Sequence, residues 1–372
     1  MTEPAHAPLP PSGAPSWVYC AAWPSMSARY PQPDTPESAE GVAAHWVNVE
    51  VRAGRPPAIG TRAPNAVAVV DEMLETAEVW LGATGPADPQ DHTEQRVGHA
   101  PGVLNWGTPD LWRLTPGWLD VWDYKHGHEF VEVFENWQLV NYTKLIRDEL
   151  GINGAADQYL QVRLHVVQPR SYHRDGPVRT WVVGPMSNLR ALFNTLDNAA
   201  ARTQQPNPPA SVGTHCKHCP GRHACLAAQR NALAAVDYAG DATPVELPPD
   251  ALGHELRTLD RAAAILEARR TGLQAQALAL VLAGTRVPFY AAERGGARER
   301  WTRPPAEVIA MASAMGVEGV GRTDVVTPAQ ARKLGLTAEL VAAFSETPTG
   351  AVRLAPDDGS KARRAFTGAS TP

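Results

Sequence analysis

Gly107-Thr-Pro-Asp110 and Asp123-Tyr-Lys125 hold the residues best suited to chemistry, with twelve residues between the two aspartates. A hairpin over that interval would bring the start of one strand beside the end of the next, so both carboxylates could face one point. Two converging carboxylates form a hard-oxygen site suited to Mg²⁺ or Mn²⁺. On a strand, Asp123 and Lys125 project from the same face. Lys125 then stands beside the attacking water and the scissile phosphate, where an ammonium can position the nucleophile or help to deprotonate it. Only five of the 34 basic residues are Lys, so a Lys here is more informative than usual. A surface hairpin with solvated charges would satisfy the same spacing, and spacing alone does not separate the two readings.

Other residues can be added to this pair. Glu94 is expected on the preceding strand, close enough to approach the same metal. Glu40-Gly-Val-Ala-Ala-His45 puts a histidine early in a helix, and neutral imidazole is a good metal ligand. A helix histidine taken by itself is more often an ordinary one. Gln138 and Tyr142 are four apart and share a helix face. Gln can hold phosphate or water, and Tyr can hydrogen-bond or stack on a base. Amphipathic packing is the plainer reading of that pair.

The chain has four cysteines, Cys20, Cys216, Cys219 and Cys225, the last three as C-x2-C-x5-C. Four thiolates suit tetrahedral Zn²⁺ or an iron–sulfur cluster. Zinc sites usually use two close pairs, whereas here one distant cysteine joins a group of three. Any centre on all four would clamp the two ends of the intervening domain and act as a staple for folding.

The elements that must position these groups are legible from periodicity. Helices are expected over 36–50, 64–82, 132–150, 187–202, 226–236 and 251–284. Strands are expected near 94–98, 107–114, 118–125, 159–168 and 178–183, with Thr-Pro-Gly turning the second into the third. This order predicts a mixed α/β fold with a central sheet flanked by helices. The 251–284 helix reads as a packing helix. The expected division is a disordered lead over 1–15, a domain over 16–236 closed by the cysteines, and a linker over 237–250. A long helix and small segment follow over 251–355, then a disordered tail over 356–372.

Composition sets the outer limits. Hydrophobic residues are 44% and charged residues 20% of the 372, enough for a sizeable core. The net charge of −5 means that any DNA contact must use a local basic surface. No run reaches the roughly 18 apolar residues needed to cross a bilayer, so no membrane partner is expected. The first residues lack a secretory pattern. A cytoplasmic location and reduced thiols are expected.

The ordered set of early Cys, helix His, Glu, Gly-x-x-Asp, Asp-x-Lys, Gln-x-x-x-Tyr and late Cys triplet resembles the RecB-like exonucleases of the PD-(D/E)XK superfamily. It is similar in particular to their iron–sulfur subgroup, which includes CRISPR-associated RecB-like nucleases and the AddB nuclease domain. SWVYC, AEGVAAHW, GTPD, DYKHG, ENWQLVNY and CKHCPGRHAC further resemble a phage and prophage domain-of-unknown-function family found in replication clusters. The resemblance covers roughly residues 15–350 and implies a restriction-endonuclease-like core with a helical C-terminal extension. It implies His45, Asp110 and Asp123 as metal ligands, with the Tyr124 carbonyl beside them. Lys125 is implied as the catalytic lysine, Glu94 as an accessory acid, and Gln138 and Tyr142 as the helix motif. It favours a 4Fe–4S cluster over Zn²⁺ on the four cysteines. The implied activity is Mg²⁺- or Mn²⁺-dependent DNA hydrolysis, exonucleolytic on single strands or duplex ends. The setting would be phage replication or recombination in a bacterial host, beside other replication or recombination proteins. The alternative is a DNA-binding recombination accessory protein with a non-catalytic nuclease fold. Trp122 and Trp137 depart from the pattern by adding aromatic flanks, and the C-terminal segment has no counterpart in the core fold.

Overall fold

The computed structural model describes residues 7–32, 34–98, 104–173, 175–240, 247–294, 300–321, 326–346 and 352–356. Two units separate between Arg269 and Arg270. The first begins with α1 (Ala14–Trp17), α2 (Trp23–Arg29), α3 (Pro36–Arg52) and α4 (Asp71–Thr84). Strands β1 (Asp91–Thr93), β2 (Leu111–Thr115) and β3 (Trp118–Tyr124) follow, then α5 (Trp137–Glu149) and α6 (Ala156–Tyr159). After β4 (Gln161–Val167) and β5 (Val178–Pro185) come α7 (Arg190–Thr203) and α8 (Leu226–Gly240). Helix α9 (Pro249–Leu282) contains the point where the two units divide.

The sheet order is β1-β2-β3-β4-β5. All neighbours are antiparallel except β3 and β4, which are parallel. A parallel pair needs a long crossover, and α5 lies within it. The β2–β3 turn is Thr115-Pro-Gly-Trp118, with Gly117 at φ +83°. Pro followed by a left-handed Gly is the type II turn signature.

Strand β3 is buried on both faces, as a central strand between helix layers must be. Leu119 and Val121 join one core with Leu139, Val140 and Ile146 of α5 and with Leu196 and Ala199 of α7. Trp122 and Tyr124 join a second core with Ala43, Ala44 and Val47 of α3 and Met73, Ala77 and Trp80 of α4. The mixed α/β fold expected from the sequence is therefore present, with helices on both sides of a five-stranded sheet.

Several local expectations shift. Helix α4 starts at Asp71 rather than near 64. The chain before it makes a tight turn, with an Arg62–Ala68 bridge and Ala66 at φ +65°. Helix α5 starts at Trp137 because Asn136 caps it, accepting from the Gln138 and Leu139 amides. The segment expected as a strand over 94–98 makes only an isolated bridge, Val97–Gly107, and β1 lies just before it. The lead expected to be disordered over 1–15 is packed from Ala7 onward. Leu9 and Ala14 sit in the first core beside Trp17, and the Leu9 amide donates to the Leu104 carbonyl. The first unit also runs past the linker expected at 237–250, of which 241–246 lie outside the described residues. Residues 357–372, nearly all of the expected tail, lie outside them too. Helix α9 buries Ile265 and Ala268 but leaves Leu252, Leu259, Leu266, Leu273 and Leu280 exposed at seven-residue steps. Its description as a packing helix thus holds for one face.

The second unit completes with β6 (Tyr290–Arg294), β7 (Arg300–Trp301), α10 (Pro305–Ala314), α11 (Pro328–Lys333), α12 (Ala338–Phe344), β8 (Ser345–Glu346) and β9 (Val352–Pro356). Strands β6 and β9 pair, as do β7 and β8. Val308, Ala312, Ala331 and Val341 belong to its small core.

Leu9→Ala should cost about 2–5 kcal/mol of unfolding free energy in urea denaturation, the usual range for a fully buried leucine. A loss below about 0.5 kcal/mol would show that the lead segment does not belong to the core.

Candidate metal centre

The sheet register builds the site. Thr93 pairs with Leu111, and Leu111 pairs with Trp122. The next residues along these three strands are Glu94, Asp110 and Asp123, so three acids form one row across the strand ends. Glu94 adopts φ +48°, a left-handed backbone that ends β1, and its amide donates to the Asp110 carbonyl at 3.2 Å. Glu94 thus stands just past the strand rather than on it.

Helix α3 adds His45. Its Nδ1 lies 3.3 Å from Asp110 Oδ1 and 3.7 Å from Glu94 Oε1. The ligand atoms of His45, Glu94 and Asp110 all fall within 4.8 Å of one another, which is a donor set able to hold a divalent cation. Asp110 Oδ2 accepts from the Tyr124 amide at 2.6 Å, which fixes the carboxylate and leaves Oδ1 toward His45.

Asp123 sits beside this set, among different partners. Its side chain is 3% exposed. Lys125 Nζ is 2.9 Å from Oδ2, and Gln138 Nε2 donates to Oδ1 at 2.8 Å. Lys125 also donates to Gln138 Oε1 at 2.9 Å, closing a three-membered ring of contacts. Tyr142, one turn on from Gln138, donates to the Thr108 carbonyl at 3.0 Å. Gly107 makes room for this, because a Cβ there would come within 2.7 Å of Pro11 and 3.1 Å of the Tyr142 ring.

The electrostatics follow from burial and like charge. Burial pushes the Asp123 carboxyl up to about 6, Lys125 pulls it back and Asp110 pushes it further. Burial also raises Glu94, reinforced by Asp110. Burial opposes the charge on Lys125, but Asp123 and Asp110 outweigh it and hold the ammonium protonated. Burial opposes charge on His45 as well, yet Asp110 and then Glu94 carry it to about 10. Burial works against the Asp110 charge, and His45 with Lys125 holds it below the usual carboxylate range. Three acids so close together need positive charge. A divalent cation fits the donor set, since it would take the place of the His45 proton between two carboxylates. Asp123 Oδ2 is buried beside this set and is paired with the Lys125 ammonium at 2.9 Å.

The sequence reading did not find the groups that orient α3. His126 Nε2 meets Glu40 Oε1 at 3.1 Å, and Tyr124 Oη meets His126 Nδ1 at 3.0 Å. Arg170 reaches the same Glu40 oxygen at 2.9 Å and Glu72 at 2.9 Å. The His45 ring packs edge-on to Tyr124, with centroids 5.4 Å apart. The available signal was adjacency, since His126 follows Lys125 directly and Glu40 precedes His45 on the same helix.

Cys20, Cys216, Cys219 and Cys225 are all free thiols and line one cavity of about 260 Å³. Burial pushes the Cys219 thiol up to about 11, with Cys20, Cys216 and Cys225 adding to the push. The topology therefore gathers the distant cysteine with the triplet, as a shared centre requires.

Fold and site together define a mixed α/β protein with a candidate divalent-metal centre at one end of its sheet. The chain belongs to the family described as "Protein of unknown function (DUF2800)", whose pattern matches residues 6–362. A search of curated proteins finds no match. Among solved structures, the chain is similar to a protein of Eubacterium rectale described as a candidate exonuclease. Identity there is 11% and the TM-score 0.34, over 64% of this chain and 90% of the other. Among the described residues no helix is long and apolar enough to cross a membrane.

Mn²⁺ at about one hundred times its Kd should add about 2.7 kcal/mol to the unfolding free energy. Asp110→Asn should remove that gain, read by urea denaturation with and without the metal. An equal gain in the variant would place the metal elsewhere.

Proposed function

We propose that the protein is a metal-dependent DNA nuclease of the RecB-like PD-(D/E)XK type, acting as an exonuclease. The observation that carries this reading is the row of Glu94, Asp110 and Asp123 with His45 above it and Lys125 beside Asp123. His45, Asp110 and Asp123 would hold Mg²⁺ or Mn²⁺, with the Tyr124 carbonyl beside them and Glu94 as the accessory acid. Bound there, the metal would neutralise phosphate charge and acidify the attacking water.

The protein's own groups do the rest. Lys125, protonated between Asp123 and Asp110, serves as a fixed cation for the scissile phosphate rather than as a base. Gln138 locks Lys125 and Asp123 together and has an amide suited to orienting water. Tyr142 holds the Thr108 carbonyl, and so the loop before Asp110, in place. The motif resemblance supports a setting in phage replication or recombination.

The four cysteines fit a 4Fe–4S cluster, because reduced thiols from both ends of the domain face one cavity. Such a cluster would act as a staple, with cleavage left to the metal centre.

End-labelled DNA should be degraded in Mg²⁺ or Mn²⁺ by the wild type. Lys125→Ala should lose at least 100-fold, on the scale of removing one transition-state donor. Equal degradation by both proteins would sink the assignment of cleavage to this site, and none by the wild type would sink the nuclease reading and favour a DNA-binding accessory role. For the cluster, protein purified without oxygen should be brown with visible absorption, and Cys219→Ser should bleach it. Colourless protein with one zinc per chain would assign the cysteines to Zn²⁺ instead.

A further inference from the structure

A second cavity, of about 560 Å³, opens beside the cysteines and is bounded by Tyr19, Val212–His215, Arg257, Asp260 and Arg261. This lies within the roughly 300–1,000 Å³ typical of ligand sites. Its aromatic wall is unusual for an exposed surface. Tyr19 is 54% exposed yet held on two sides. The His215 ring lies nearly parallel to it, with centroids 5.9 Å apart and planes 19° apart. The Trp137 ring meets it edge-on at 6.3 Å, and Trp137 Nε1 donates to Tyr19 Oη at 2.9 Å. His215 is itself fixed by a 3.1 Å contact from Nε2 to the Ser211 carbonyl. An exposed aromatic already immobilised in this way loses little freedom when a ligand stacks on it.

Helix α9 also lines the cavity. Arg257 and Arg261 lie four apart, hence on one helix face. Arg261 donates to the Val212 carbonyl at 3.2 Å, which ties the helix to the aromatic wall. Asp260 also lines the cavity and leaves the three charged side chains at net +1. A flat, pre-set aromatic ring and two arginines lining one cavity are the combination that binds single-stranded nucleic acid. Bases stack on the ring while arginines take the phosphates. A duplex keeps its base faces covered and gives such a ring nothing to stack on.

The cavity is joined to the metal centre through one helix end. Trp137, which positions Tyr19, is the residue before Gln138, which touches Asp123 and Lys125. We propose that this cavity is a subsite for a nucleotide of a single DNA strand, holding the strand while its phosphodiester reaches the metal centre. The proposal deepens the nuclease reading and rests on it for the strand's destination. The cavity's affinity for single strands can be measured without cleavage.

The test uses the full chain in EDTA with a fluorescein-labelled oligothymidylate of about twelve nucleotides, read by anisotropy. Wild type should bind it without metal and without cleavage. Tyr19→Ala should weaken binding roughly 5- to 150-fold, and Tyr19→Phe should restore most of it. The Arg257→Ala, Arg261→Ala double variant should lower the salt slope of log K by about 1.4, for two phosphates on a single strand. These arginines are on the exposed face of α9 and can be changed without opening the core. A small phosphodiester, bis(p-nitrophenyl) phosphate with Mn²⁺, reports on the metal centre separately. Its hydrolysis should survive the cavity variants and be lost in Lys125→Ala. If no variant or wild type hydrolyses it while the cavity variants still lose single-strand binding, the subsite stands and the nuclease reading falls. Unchanged binding in both the Tyr19→Ala and arginine variants would overturn the subsite. So would absence of wild-type binding, or equal binding of a blunt duplex of the same length.

Discussion

The pairing register of β1, β2 and β3 is the constraint on which the rest of the site depends. Because side chains alternate along a strand, a slip of one residue would turn Asp123 away from Asp110 and carry Trp122 to the wrong core. Two things hold the register. The Pro116-Gly117 turn closes the hairpin at one end. The alternation of Leu119 and Val121 against Trp122 and Tyr124 locks each face to its own helix layer. The buried acids then cost little extra organisation, since the strands that carry them are already fixed by apolar packing. What remains is the cost of burying their charge, offset in part by Lys125, Gln138 and the Tyr124 amide.

A sheet cannot supply His45, so α3 must be held over the strand ends. Two polar braces do this, one at each side. Near the C-terminal end of the helix, Arg52 and Arg113 both pair with Asp91 at 2.6 Å, and Asp91 is 3% exposed. This links α3 to β1 and β2 through one buried carboxylate. Toward its N-terminal end, Glu40 joins His126 and Arg170, tying the helix to the chain just after β3 and β4. Such buried networks are sensitive to the loss of a single member, because each partner left behind is desolvated and unpaired. The imidazole is thus aimed by groups that never touch a ligand.

Much of this was legible in the sequence, and the failures have physical causes. The alternating apolar pattern and the Pro-Gly turn located β2 and β3 within a few residues. The acids and Lys125 could be paired because their spacing matches a hairpin. Glu94 was placed on a strand because its neighbours alternate, but the left-handed turn at that residue leaves no period to read. The 1–15 segment looked disordered from its Pro and Ala content. Leu9 and Trp17 are nevertheless enough to anchor its described part, from Ala7 onward, since two large side chains buried in an existing core outweigh the weak local propensity. The pairing of Glu40 with His126 could not be read for another reason, although each lies near a site residue in sequence. Residues 86 positions apart meet only after the sheet has formed, and nothing in either local stretch announces the pair.

The cysteine group can be weighed in the same way. Closing a loop of roughly 200 residues would cost on the order of 5 kcal/mol in chain entropy, so a staple joining Cys20 to the triplet could seem decisive. The packed structure has already met most of that cost. Leu9, Ala14 and Trp17 are in the core, Arg202 donates to the Val18 carbonyl, and Ser211 donates to the Tyr19 carbonyl. These contacts join the N-terminal segment to the 200s without involving the thiols. A cluster would therefore add less to global stability than its loop length suggests. Its larger effect would be local, since each of Cys20 and Cys216 adjoins an aromatic of the cavity wall, Tyr19 and His215. A centre bound there would hold those two rings relative to each other, at a distance in sequence from the row of acids.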